Sequence, residues 1–243
     1  VSPVGKIAAT GSMNYAGAPF YGNLIVQTSD WTKISSGDQS GIVSVNNVKH
    51  DSIGNTYLQS CSKGYCDYFG TVLSNDKMVT VLTKNDASGN LLWLKQISNA
   101  GLLPDYGPCF ALDDSNNVLT TGYFESSLSI GTEDFTNADE NKDGYVAKYY
   151  SNGDFAWAVQ LSANETFEIN GVNADPEGNV IVSGIFGSAL NFLNHDIITE
   201  TGFGVFLIKL DSDGDYLWAK GFPSDAAIWT AFGSTDVDGF IYL

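Results

Sequence analysis

Asp175-Pro176-Glu177-Gly178-Asn179-Val180-Ile181-Val182, then Val205-Phe206-Leu207-Ile208-Lys209, then Gly214-Asp215-Tyr216-Leu217-Trp218, is the passage on which the fold of this chain turns. Acidic residues and glycine supply tight turns, and short apolar runs rich in β-branched and aromatic residues flank them, so the passage reads as two consecutive β-hairpins. It is not alone. The Gly-Asn or Gly-Asp to Trp block returns at Gly89–Trp93 and Gly153–Trp157, with Trp93, Trp157 and Trp218 spaced 64 and 61 residues apart. Lys84, Lys148 and Lys209 keep the same spacings, and Gly54, Asn116, Gly178 and Gly239 mark the preceding turn at intervals of 62, 62 and 61. Each unit therefore holds four short strands, and no window carries a helical period.

Four antiparallel strands per repeat point to an all-β fold, a β-propeller of four-stranded antiparallel blades. One sheet cannot bury both of its faces, so Trp93, Trp157 and Trp218, with small residues such as Gly122 and Gly184, are expected to pack blade against blade.

At these positions the chain resembles the SBBP-type β-propeller repeats of bacterial secreted and surface proteins. The segment from Asn173 to Phe222 follows that pattern most closely, through Asp175, Gly178-Asn179, Gly184, Phe206, Lys209, Gly214 and Trp218, and the resemblance extends over about residues 45 to 243. It implies a scaffold used for extracellular tasks, and it implies no particular activity.

The repeat phase divides the chain as a single β-propeller domain over 1–243, with full blades at 42–98, 106–162 and 167–222. Residues 228–243 hold the first two strands of a unit. Residues 1–31 resemble the last two, through Lys6–Thr10 and Gly22–Val26. Three whole blades and one split blade make four. The halves can close one ring within a chain, or join one molecule to the next head to tail as a filament. The chain opens at Val1 without a signal-peptide pattern, as a processed form or a fragment would.

Composition narrows the partners. Eleven Lys and Arg against 28 Asp and Glu give a formal charge of −17, which repels phosphate backbones and anionic lipid, so no nucleic acid partner is expected. No apolar run is long enough for a membrane-spanning helix, and no membrane insertion is expected. Such acidity suits a saline extracellular medium or cation binding. Asp139-Glu140-Asn141-Lys142-Asp143-Gly144 has the alternating oxygens of half a calcium loop, making Asp139, Asn141 and Asp143 the metal candidates, although the twelfth position is Tyr150 rather than Glu. No cofactor is required by any motif.

Cys61 and Cys66 are spaced for a small disulfide loop or for two reduced thiols, with Cys109 left over. Asn164-Glu165-Thr166 is a glycosylation acceptor triplet. Trp31 and Trp229 fall outside the Trp register and are the candidate platforms for a sugar ring. Neither His50 nor His195 lies in a nucleophile motif, and the glycine turns lack the strand-to-helix context of a phosphate loop. The sequence thus predicts a non-enzymatic extracellular module of structural or adhesive role. Its expected partners are other protein subunits, itself included, or surface glycans; a lectin is the alternative and a secreted glycan-active enzyme the more distant one.

Overall fold

A computed structural model describes residues 23–27, 32–36, 42–98, 109–137, 141–163, 165, 167–198, 202–225, 233–236 and 238–242. The chain divides into two compact units, Val1–Leu103 and Pro104–Leu243. All regular structure among the described residues is antiparallel β.

The first unit holds the hairpin β1 (Asn23–Gln27) and β2 (Thr32–Ser36). It also holds a four-stranded sheet of β3 (Ile42–His50), β4 (Thr56–Tyr68), β5 (Thr71–Asn85) and β6 (Leu91–Ser98), paired in chain order. Leu58, Cys66, Tyr68, Val79 and Val81 form its buried cluster. The described partner of β1 is β2, not the segment Lys6–Thr10, which lies outside the described residues. Residues 28–31, Trp31 among them, also lie outside the described residues, and Trp31 precedes Trp93 by 62 positions in the sequence.

In the second unit, β7 (Phe110–Leu112), β8 (Val118–Phe124), β11 (Asp143–Tyr149) and β12 (Phe155–Ala163) make one sheet. The next is β13 (Phe167–Ala174), β14 (Val180–Phe186), β17 (Gly204–Leu210) and β18 (Tyr216–Pro223). Inserted hairpins stand between the second and third strands of each: β9 (Ser127–Ile130) with β10 (Glu133–Thr136), and β15 (Ala189–Phe192) with β16 (His195–Ile198). The latter hairpin leaves its own sheet and extends the preceding one, pairing Leu161 with Phe192 and Ala163 with Leu190. The hairpin β19 (Ser234–Thr235) and β20 (Ile241–Tyr242) follows.

These two sheets stack face to face. Leu119, Val146, Val159, Leu161, Phe167, Ile169, Val182, Phe186, Phe206 and Ile208 belong to one buried cluster spanning both. Gly144 has no room for a Cβ because the Phe167 ring stands 2.6 Å from where it would lie. The next layer begins on the other face of the third sheet, where Ser183 Oγ accepts from Gly233 N at 2.8 Å and Asn173 Nδ2 donates to Gly233 O at 2.7 Å.

Gly122 and Gly184 act within their own sheets rather than between sheets. Each pairs across the ladder with an aromatic residue, Tyr145 and Phe206, whose ring lies over the bare Cα. A glycine here lets the ring lie flat on the strand.

Candidate functional site

Among the described residues, six hairpin turns in phase with the repeat are built on one aspartate plan, and the seventh, from Tyr150, has Asn152 Oδ1 accept from Asp154 N instead. In the first turn of the unit, Asp51 Oδ1 accepts from Ile53 N and Asn55 N, while its Oδ2 accepts from Asn55 Nδ2 at 2.7 Å. Asp113 and Asp175 repeat that set with Asn117 and Asn179. Asp236 repeats its backbone half with Asp238 and Phe240. In the second turn, Asp86 and Asp211 do the same. Short side-chain acceptors bonding their own following amides are what make Asp favourable in such turns. Of the alternate acids of Asp211–Asp215, the Asp211 carboxylate is thereby committed to the backbone amides of Asp213 and Asp215.

The first-turn aspartates have a second partner. Lys148 Nζ lies 3.1 Å from Asp113 Oδ2, and Lys209 Nζ lies 2.7 Å from Asp175 Oδ2. Burial by itself would raise the Asp175 carboxyl, but the Lys209 ammonium and the Asn179 bonds outweigh it and hold that group below the ordinary carboxylate range. In the first unit, burial lowers the Lys84 ammonium against the opposing pull of Asp51, and Lys84 Nζ sits 4.8 Å over the Tyr57 ring. Burial, reinforced by Asp51, raises the Tyr57 phenol.

Each lysine stands directly opposite a tryptophan on the neighbouring strand: Lys84 with Trp93, Lys148 with Trp157, Lys209 with Trp218. A register shift follows each lysine. Paired residues share a face, so the ammonium and the indole N–H point the same way. In the second sheet both converge on one atom: the carbonyl of Ser212, in the turn of the next sheet, accepts from Lys148 Nζ at 3.2 Å and Trp157 Nε1 at 3.0 Å. Trp157 is thus a half-buried clasp between sheets. Trp93 and Trp218 are likewise half-buried, and an indole N–H favours a rim where a carbonyl can reach it.

Beside this arrangement in the third sheet lies an open cleft of about 300 Å³, lined by Asp175, Pro176, Glu177, Lys209, Asp238 and Gly239. Of its acids, Asp175 caps the turn, Glu177 Oε2 accepts from Asn179 Nδ2 at 3.2 Å and Asp238 is exposed, while Lys209 is held by its ion pair.

The residues singled out from the sequence are scattered. Asp143 opens β11, where its Oδ2 accepts from Gln160 Nε2 at 2.6 Å and Ser162 Oγ at 2.9 Å; Asn141 lies just ahead of it, and Asp139 is outside the described residues. Trp31, Asn164 and Trp229 also lie outside them. Cys61 and Cys66 carry free, buried thiols. Both belong to β4, paired with Thr80 and Leu73, so the small loop expected between them is instead extended strand. Five residues of strand span roughly 16 Å, beyond the reach of a disulfide. Cys61 Sγ lies 3.9 Å from Thr80 Oγ1 and Cys66 Sγ donates to Lys63 O at 3.5 Å. His50 Nδ1 lies 3.1 Å from the hydroxyl of Thr56, its cross-strand neighbour, and the His195 ring stacks on Tyr216 at 3.7 Å.

The lysine–aspartate pairs were not linked in the sequence reading, although a signal was there: Asp51 and Lys84, Asp113 and Lys148, and Asp175 and Lys209 are separated by 33, 35 and 34 residues. The Ser212 carbonyl carries no such signal, because any residue supplies one.

No protein-family model matches the chain. An uncharacterized WD repeat-containing protein of Acanthamoeba polyphaga mimivirus is 26% identical over 157 residues, covering 56% of this chain. The chain spans only 11% of that relative's length. Among solved structures, a Bacteroides caccae protein of unknown function aligns over 95% of this chain and 94% of its own, at 11% identity and a TM-score of 0.36.

Proposed function

We propose that this chain is a non-enzymatic β-propeller-type module, four-bladed with one blade split between β19–β20 and the N-terminal hairpin, that works outside the cell by binding other protein subunits. One observation carries the reading. The polar groups that recur with the repeat are consumed by the repeat itself: the aspartates cap turns, the lysines pair with those aspartates, and in the second sheet lysine and tryptophan clasp the next sheet. Groups so engaged hold sheets in register, whereas a general acid, base or nucleophile must be free to reach a substrate. Stacked repeat sheets, in turn, present broad surfaces suited to macromolecular partners.

Likeness to a WD repeat-containing protein supports the propeller part of the reading, since WD repeats are four-stranded propeller blades. Resemblance to the SBBP repeats and the charge of −17 support the extracellular part. No cofactor enters. A calcium ion at Asp139, Asn141 and Asp143 would serve only to order the loop, and calcium titration of the wild type against Asp139→Ala reads that out.

Electron microscopy of the purified chain beside a glycan array tests the whole. Oligomers or fibres with a blank array are the expected result. Discrete monomers that bind glycans, with loss in Trp31→Ala or Trp229→Ala, would replace this reading with the lectin alternative.

A further inference from the structure

The turn between β11 and β12 departs from the others in phase with the repeat. Six of the seven open on an aspartate whose carboxylate holds the amides of the third and fifth residues, whereas this one opens on Tyr150, which has no carboxylate. The backbone frame is unchanged: Tyr150 N donates to Asp154 O and Gly153 N to Tyr150 O, both at 2.8 Å. The amide of the fifth residue, Asp154, is taken instead by Asn152 Oδ1 at 3.0 Å, and Asn152 Nδ2 donates to Asp154 Oδ2 at 2.8 Å. Asn152 is exposed, and Gly153 after it lies at φ +90°. Among the seven turns only this one has Asn directly before the residue at positive φ.

This exchange of groups sets up a reaction. A side-chain amide one residue ahead of a main-chain nitrogen can close on it into a cyclic imide, and glycine as the second residue leaves that nitrogen unshielded by a Cβ. In this turn the carbonyl oxygen that would take up negative charge already accepts the Asp154 N–H, and the leaving nitrogen already meets a carboxylate. The attacking N–H is engaged by Tyr150 O, so attack follows opening of that bond. Turns open locally at low cost, whereas strands open with their sheet.

We infer that Asn152 is a site of spontaneous deamidation, with water as the only co-reactant. Gly153 N gives its proton to solvent and bonds to Asn152 Cγ; the Cγ–Nδ2 bond breaks, and Nδ2 takes up a proton and leaves as ammonia. Water then opens the imide at either carbonyl, to aspartate or to isoaspartate. Both products exchange the Nδ2 donor for a carboxylate beside that of Asp154. Isoaspartate also adds one carbon to the main chain just ahead of β12, the strand that carries Trp157. The turn that delivers the Trp157 clasp therefore has a slow, irreversible way to loosen.

The sequence holds one other Asn-Gly pair, Asn170–Gly171, in β13. Asn170 is half-buried, Gly171 pairs with Ser183, and a Cβ on Gly171 would lie 2.6 Å from Ser183 Oγ. The same chemistry there has to open the third sheet.

Peptide mapping by mass spectrometry, on the full chain incubated in mildly alkaline buffer with and without urea, tests this. In the folded protein the Asn152 peptide should gain the mass difference between amide and acid several-fold faster than the Asn170 peptide, with isoaspartate among its products. In urea the two should convert at similar rates. Asn152→Gln should abolish the change at that position, since a longer side chain closes the ring far more slowly, and leave Asn170 unaffected. Folded conversion at Asn152 no faster than at Asn170 overturns the inference, as does a folded Asn152 peptide that keeps its mass until urea is added.

Discussion

Gly214 has no side chain because Trp157 occupies the space: a Cβ there would lie 2.6 Å from the indole Cδ2, on a backbone already at φ +89°. The residue that shapes the turn of one sheet is therefore also the bed for the aromatic clasp of another. Gly214→Ala combines strain at positive φ with a steric clash, and should cost about 2–4 kcal/mol in urea unfolding. In a Trp157→Ala background the clash disappears, and the same substitution should cost only about 1 kcal/mol for the backbone. Equal costs in both backgrounds would show that the ring does not press on the turn.

Asp175 and Lys209 give the second sheet-internal contact a pH dependence. The native carboxyl is held below its ordinary value of 3.8, so unfolding takes up a proton in acid. Its contribution to stability is complete above the ordinary value and is lost as pH falls through the lower native one. Asp175→Asn should cost about 1–3 kcal/mol near neutrality, since Lys209 keeps a polar but uncharged neighbour. Denaturation curves of the two proteins should draw together as pH falls below the ordinary carboxylate value and through the lower native one. A gap that stays constant down to pH 2 would assign the cost to turn geometry alone.

What was legible in the sequence was whatever repeats. Turn glycines, β-branched runs and the Trp spacing located the strands β5, β11 and β17 and the turns that bound them, because strand and turn chemistry are local. Contacts that depend on a neighbour were harder. The β15–β16 hairpin carries none of the repeat's markers, and it pairs with β12 of the preceding sheet, a choice made by packing and not by its own residues. Cys61 and Cys66 misled for a related reason: spacing suggested a loop, while the partner strand β5 runs on past Lys77 and keeps β4 extended to Tyr68.

The thiols offer an independent check on that strand. Burial raises the Cys61 thiol to about 11, only partly offset by the Thr80 hydroxyl, and raises Cys109 to about 11 against the Thr121 hydroxyl. A protonated, enclosed thiol is a poor nucleophile. Native protein should react slowly with a disulfide reagent at neutral pH, and denatured protein should show three thiols at once. A denatured count of one, restored to three by reductant, would show a disulfide, and peptide mapping of it to Cys61–Cys66 would contradict an extended β4 between them.

The inserted hairpin makes a sharper prediction than its position suggests. Phe192 is 1% exposed and belongs to the core cluster shared by the two stacked sheets, whereas His195, its cross-strand partner just past the Leu193–Asn194 turn, is exposed with its ring against Tyr216 and Phe192. If the hairpin were a surface decoration, the two residues would matter equally little. Burial argues otherwise: Phe192→Ala should cost about 3–5 kcal/mol, close to the loss for a central core phenylalanine, and His195→Ala less than about 1 kcal/mol. Because β15 also closes the edge of β12, Phe192→Ala should in addition speed amide exchange at Ser162 and Ala163, on the strand it covers, more than at Val182 in the centre of the next sheet. Uniform acceleration across both sheets would instead mean that the hairpin and the sheets unfold only together.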